Sequence, residues 1–233
     1  MTLLNNASVP VITIDGPSGT GKGTLCHRLA TRLGWRVLDS GAIYRALAFV
    51  VMEQKIDPNA LEAILDIANT LPLHFKLDVN DQQWTYLGQQ DVTMLIRSER
   101  IGQEASRLAS SPEVRAALLQ RQRDFAQLPG LVTDGRDMGT IVFPEAILKI
   151  YLTASPDARA TRRFLQLQSQ EVNGVYEDIL EELTIRDQRD RSRSHAPLVP
   201  AADAIQVDTT GLSIVQVLEN ILQLAAERGL YRF

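Results

Sequence analysis

The chain has 233 residues, with 28 Asp and Glu against 24 Lys and Arg for a formal net charge of −4, and a single cysteine. That length suits one large domain, or one domain with a sizeable insertion; the charge excludes bulk attraction to nucleic acid, and lone Cys26 excludes a disulfide framework or a multi-Cys metal site. No apolar stretch approaches the ~20 residues of a membrane span, and the opening MTLLNNAS lacks the basic start and apolar core of a signal peptide, so a soluble, cytoplasmic protein with no membrane or nucleic-acid partner is expected.

The first element is an apolar run ending at Ile14, read as a strand, followed directly by GPSGTGKGT and then by Leu25, Leu29 and Leu33 at helical spacing. Strand, glycine-rich loop and helix in this order form a phosphate-binding loop: Gly16, Pro17, Ser18, Gly19, Thr20, Gly21, Lys22, Gly23 and Thr24. The glycines let backbone N–H groups wrap anionic oxygens, Lys22 adds a point charge, and the helix N-terminus adds its positive end. Gly23 stands where many such loops carry the magnesium-contacting Ser or Thr, and Thr24 follows it; the GKGT ending looks like the loop of nucleoside monophosphate kinases. Cys26, early in the helix, is read as a packed small residue.

The second strand candidate, Trp35 to Asp39, runs into DSGAIYR, from Asp39 to Arg45, and a helix from Ala42 to Glu53. Ligands of open α/β sheets bind outside the carboxyl ends of the strands, so Ser40 and Arg45 are expected to reach one phosphate in the crevice that the loop faces. After a helix at Ala60 to Thr70, the segment Leu73 to Val92 reads as short strands around an Asn80-Asp81 turn, a small antiparallel insertion. Helical patterns follow at Leu95 to Ala109 and Glu113 to Gln127.

Leu131 to Asp134 is a strand that empties into DGRDMGTIVFP, where Asp134, Arg136, Asp137 and Thr140 crowd among glycines. Asp134 ends its strand as a Walker-B carboxylate does and is expected to hold magnesium directly or through water; Arg136 is expected to meet phosphate, and Asp137 can accept from an amino group on a base. A strand at Ile147 to Leu152 leads to helices at Pro156 to Ser169, begun by Ser155, and Val175 to Arg193. In IRDQRDRSR, Arg186, Arg189, Asp190 and Arg193 share one helical face while Arg191 points away, which suits a mobile lid; Arg159, Arg162 and Arg163 are weaker candidates to line it. A Pro-bounded loop, a strand at Ala204 to Asp208 and a helix from Ile214, with Ser213 and Gln216 as a capping box, complete the chain.

Five strands alternating with helices predict an α/β fold of three layers with a five-stranded parallel sheet covered on both faces. VITIDGPSGTGKGT, LDSGAIYR, LPGLVTDGRDMGTIVFP and RDQRDRSRSHAPLVPAADA together resemble the bacterial cytidylate kinases of the P-loop nucleoside monophosphate kinase superfamily. The resemblance implies a P-loop kinase domain over residues 9–233 behind a tail at 1–8, with an acceptor-binding insertion at about 60–110 and a helical lid at about 155–193. It implies transfer of the γ-phosphoryl of ATP to CMP or dCMP, giving CDP or dCDP and ADP, by a monomer whose partners are small nucleotides.

Carried over by position, Ser40, Arg45 and Arg136 serve the CMP phosphate, Ser106, Arg115, Asp137 and Arg193 surround the cytosine, and Arg186 and Asp190 meet the ribose. Lys22, Asp134, Arg136 and Arg186 form the catalytic set. Magnesium is expected to arrive with ATP, with Thr24 and Asp134 as its contacts, and no tightly bound organic cofactor is implied. Other readings of the same loop are a UMP, AMP or shikimate kinase, a non-catalytic nucleotide module, or an NTP-hydrolysing motor or switch. For a GTPase the chain lacks an Asn-Lys pair, and its DxxG, Asp208 to Gly211, comes too late.

Overall fold

The computed structural model describes residues 9–77, 83–169 and 173–231. The tail at residues 1–8 and the turn expected at Asn80-Asp81 lie outside these. β1 (Val11–Asp15) leads through the phosphate loop to α1 (Lys22–Leu33), β2 (Arg36–Asp39), α2 (Ser40–Glu53) and α3 (Leu61–Thr70). Then come β3 (Leu73–Leu77), β4 (Gln83–Leu87), β5 (Gln90–Asp91), a 3-10 turn at Leu95–Arg97, α4 (Glu99–Leu108) and α5 (Pro112–Arg123). The remainder is β6 (Leu131–Gly135), a π-type helix at Met138–Val142, β7 (Leu148–Thr153), α6 (Pro156–Ser169), α7 (Tyr176–Arg191), β8 (Ile205–Asp208) and α8 (Ile214–Glu227).

The main sheet has five strands in the order β2-β6-β1-β7-β8, all parallel, as the alternation of strands and helices predicts. Alternate residues of its central strand serve opposite cores: Val11 packs with α2, α3, α4 and α5, while Ile12 and Ile14 pack with α1 and α8. Leu25 and Leu29 of α1 are fully buried against that second core. Replacing either by Ala should cost about 2–5 kcal/mol, because a close-packed interior refills only partly. The chain leaves β1 for β2 on one side and later returns to β7 on the other. The carboxyl end of β1 therefore opens a crevice where ligands bind in such sheets.

The insertion is a three-stranded antiparallel sheet, β3-β4-β5. α6 and α7 share a small core of their own, Ala160, Ile179 and Leu183 with Phe164, Leu167, Tyr176 and Leu180, separate from the two cores of the sheet. The capping box at Ser213 and Gln216 is present, and Ser155 caps α6 by accepting the Ala158 amide at 3.2 Å. Among the described residues no helix is long and apolar enough to cross a membrane.

Several boundaries differ from the sequence expectation. The helix expected over Leu95 to Ala109 is broken at Ser98, whose extended ψ of 149° and side-chain bond to the Ile101 amide start α4 afresh. α5 stops at Arg123, short of Gln127, and α7 stops at Arg191, so Arg193 lies just beyond the helix. The glycine-rich DGRDMG segment, for which the sequence reading names no helix, turns into the π-type helix within two residues of Arg136.

Candidate active site

The parallel register lines up the polar ends of three strands. Asp39 of β2 lies beside Asp134 of β6, and Asp15 of β1 beside Gly135. Each follows an apolar run, so burial of the strand carries the carboxylate to the sheet's edge. The phosphate loop leaves from this edge at Gly16, whose φ of +147° few other residues adopt and whose Cβ, if present, would stand 2.2 Å from the Leu152 carbonyl oxygen. Lys22 is buried, its ammonium donating to the Pro17 carbonyl at 2.6 Å and reaching Thr20 Oγ1 at 3.3 Å. Thr20 also donates to Pro17, at 3.1 Å. Gly23 and Thr24 lie on the first turn of α1, Thr24 exposed.

Arg159 holds the loop from the other side. Its guanidinium donates to the Ser18 carbonyl at 3.0 Å and pairs with Asp187 of α7 at 2.7 Å, both side chains being buried. Arg162 is instead taken up by the hydroxyl and carbonyl of Thr209, and Arg163 lies 3.7 Å from Glu99. Of these three arginines, only Arg159 bonds to both the loop and α7.

Opposite the loop, the expected acceptor residues fall into linked groups. Ser40 donates to the Asp134 carbonyl at 2.8 Å, and Arg45 pairs at 2.6 Å with Asp39, which also caps α2 through the Ala42 amide. Arg115 of α5 pairs with Asp137, and its guanidinium stands 5.8 Å from the centre of the Tyr44 ring. Asp190, 1% exposed, gathers Arg136 at 2.9 Å, Ser106 at 3.0 Å and Arg193. Arg186 lies near Arg136 and Lys22, and its Nε, like those of Arg45 and Arg193, is buried with no hydrogen-bond partner in the chain. None of the expected site residues lies on the antiparallel strands; Ser106 and Arg115 come from α4 and α5.

The charges do not cancel around the lysine. Burial together with Arg136 and Arg186 holds Lys22 well below its ordinary range, and burial with Arg136 pushes Arg186 down to about 10. Cations crowded in this way gain when an anion enters. At the strand ends, burial and the neighbouring Asp39 push Asp134 up to about 7. Burial also opposes ionisation of Asp39 and Asp190, but Arg45 and Arg136 respectively keep both below the usual carboxylate range. Burial pushes the Cys26 thiol up, as fits a packed residue below the loop.

Sequence reasoning passed over Asp15 and Asp187, and held Arg159 only as a weaker candidate to line the lid. Asp15 ends an apolar run just as Asp134 does, so the same signal was available for it. The pairing of Arg159 with Asp187 carries no such signal, because each sits among other charges on an ordinary helical face.

A phosphate loop by itself serves one nucleotide. Arg45, Arg115, Arg136 and Arg193 are each paired with an aspartate while Arg186 keeps a buried Nε without a partner, a cationic set that suits a second anionic ligand; the class of protein so defined is the P-loop kinase. The family model described as cytidylate kinase matches residues 12–227. Cytidylate kinases from Yersinia pestis (strain Pestoides F) and Yersinia pseudotuberculosis (serotype O:1b, strain IP 31758) are each 53% identical over 219 residues, covering 94% of this chain and 95% of their own. The chain therefore belongs to the cytidylate kinase family and is a phosphotransferase. Among solved structures, a gluconokinase from Sinorhizobium meliloti 1021 aligns over 94% of this chain and 92% of its own at 14% identity and a TM-score of 0.47, too distant to bear on the site.

Proposed function

We propose that the enzyme transfers the γ-phosphoryl group of ATP to CMP or dCMP, releasing CDP or dCDP and ADP. The observation that carries this reading is the Asp137–Arg115 pair with Arg193 near it, Arg193 and Ser106 both being held by Asp190. Cytosine offers an amino donor at N4 and acceptors at N3 and O2, which a carboxylate, a hydroxyl and guanidinium groups match. Uracil reverses part of that pattern, and a buried group left unpaired costs about 1–3 kcal/mol, enough to select against it.

Arg45, Ser40 and Arg136 take the acceptor phosphate, and Asp190 takes the sugar while holding Arg136 and Arg193 in place. Arg186 is assigned to the moving phosphoryl group rather than to the ribose, because it stands near Lys22 and Arg136 and its Nε lacks a partner. The acceptor phosphate is already a nucleophile, so no general base is needed; alignment and charge stabilisation by Lys22, Arg136 and Arg186 do the work. Magnesium accompanying ATP fits Asp134, whose Oδ1 is buried and without a hydrogen-bond partner, with Thr24 the candidate on the loop side. When bound, it would withdraw charge from the phosphates.

Supplying γ-labelled ATP with CMP tests the reaction. The label should appear in the terminal phosphate of CDP, whereas label released only as inorganic phosphate would identify an NTP-hydrolysing protein instead.

A further inference from the structure

Asp15 has no part in the chemistry above, yet it occupies the junction of both halves of the site. It is the last residue of β1, immediately before Gly16, and is 5% exposed. Its two carboxylate oxygens accept the backbone amides of Met138 at 2.9 Å and Gly139 at 2.8 Å. Those amides open the π-type helix, whose own bonds begin further on, where the Ile141 amide donates to the Asp137 carbonyl at 2.9 Å. The first amides of a helix have no internal partner. Here a carboxylate 123 residues away in sequence does by tertiary contact what an N-cap does locally.

The turn lies hard against the strand. A Cβ on Gly139 would stand 2.8 Å from Thr13 Oγ1 and 3.2 Å from Lys149 Cδ, so only glycine permits this approach without displacement. The phosphate loop itself is held by other bonds, from Lys22 and Thr20 to Pro17 and from Arg159 to Ser18. The side chain of Asp15 is therefore spent on the turn and not on the loop. A neutral Ser or Asn could cap a short helix at less cost. Burial, despite the two amides, pushes this carboxyl up to about 6, and Asp137 pushes it the same way while Lys22 pulls it down.

We propose that Asp15 is a positioning residue for the acceptor: it ties the turn carrying Arg136 and Asp137 to the strand carrying the phosphate loop, setting acceptor phosphate and base at a fixed reach from the donor. This rests on the assignment of Arg136 and Asp137 to the acceptor. The Asp15→Asn variant keeps one acceptor oxygen and turns an NH2 toward the second amide; Asp15→Ser keeps one small acceptor and leaves space for water.

In the full-length protein both variants should raise the KM for CMP about tenfold or more while the KM for ATP moves less than about twofold. The Met138 and Gly139 amides should exchange hydrogen about tenfold faster, with the circular dichroism spectrum retained. A KM for ATP that rises as much as that for CMP overturns the proposal, as does an unchanged KM for CMP while both amides exchange faster. If the wild-type protein instead uses another acceptor, the cytosine reading fails, and the same comparison made with that acceptor still decides the role of Asp15.

Discussion

The carboxylate of Asp190, three residues before Arg193, lies 2.9 Å from Nε of Arg136 on the turn after β6. One buried group thereby joins α7 to the turn after β6. The Asp190→Ala change leaves Arg136 and Arg193 without their shared partner, and truncating one member of a buried charged pair typically costs about 2–5 kcal/mol in binding. We expect kcat/KM for CMP to fall about 100-fold or more, with the affinity for ATP nearly unchanged. Steady-state kinetics with each substrate varied in turn checks the split.

Arg115 and Asp137 should behave as a unit. Asp137→Ala and Arg193→Ala should weaken CMP use far more than ATP binding, and Arg115→Ala should add little to Asp137→Ala once the pair is broken. A double-mutant cycle on the KM for CMP should give a coupling of about 1–3 kcal/mol between Arg115 and Asp137. Additive losses would separate the two residues.

Lys22 is buried among cations and held below its ordinary pKa, so its charge opposes folding of the nucleotide-free protein. The Lys22→Ala change is expected to reduce transfer at least about 1,000-fold, because it removes charge stabilisation at the phosphates. Thermal unfolding should occur at the wild-type temperature or above, with circular dichroism unchanged. A large drop in Tm would instead make the ammonium a structural prop through its bond to Pro17.

Asp134 gives a pH dependence whose sign runs against ordinary acid denaturation. Its folded pKa is raised to about 7 from an ordinary 3.8, so the folded state holds the proton more tightly than the unfolded chain does. The stability this contributes is complete below pH 3.8 and is lost as pH rises through about 7. Asp39 and Asp190 have lowered pKa values, so their own loss of stability falls at the acid end, outside this window. Urea unfolding of the nucleotide-free protein between pH 5 and 7 should show stability declining by up to about 1.4 kcal/mol per pH unit for each such group. Asp134→Asn should flatten that slope, leaving the smaller part due to Asp15.

What the sequence displayed and what it hid have physical causes. The strand ends were legible because Asp39 and Asp134 terminate apolar runs, and a parallel sheet delivers all such ends to one edge. The arginine face of α7 was legible because Arg186, Asp190 and Arg193 recur at helical spacing, although the helix stops before Arg193. Strand order was not legible, since a buried apolar run does not say which strand it adjoins. The break at Ser98 was hidden by apolar spacing that continues across it. The ties of Asp15 to Met138 and Gly139, and of Arg159 to Ser18 and Asp187, are tertiary, and residues so far apart in the chain leave no local trace of their contact.

The most direct measurement is a coupled assay of ADP release with ATP and magnesium held saturating, run without acceptor and then with CMP, dCMP, UMP and AMP in turn. The site predicts ADP only when an acceptor is present, with CMP or dCMP favoured over UMP by about tenfold or more. Equal ADP release without acceptor, or faster turnover with UMP or AMP, would contradict it.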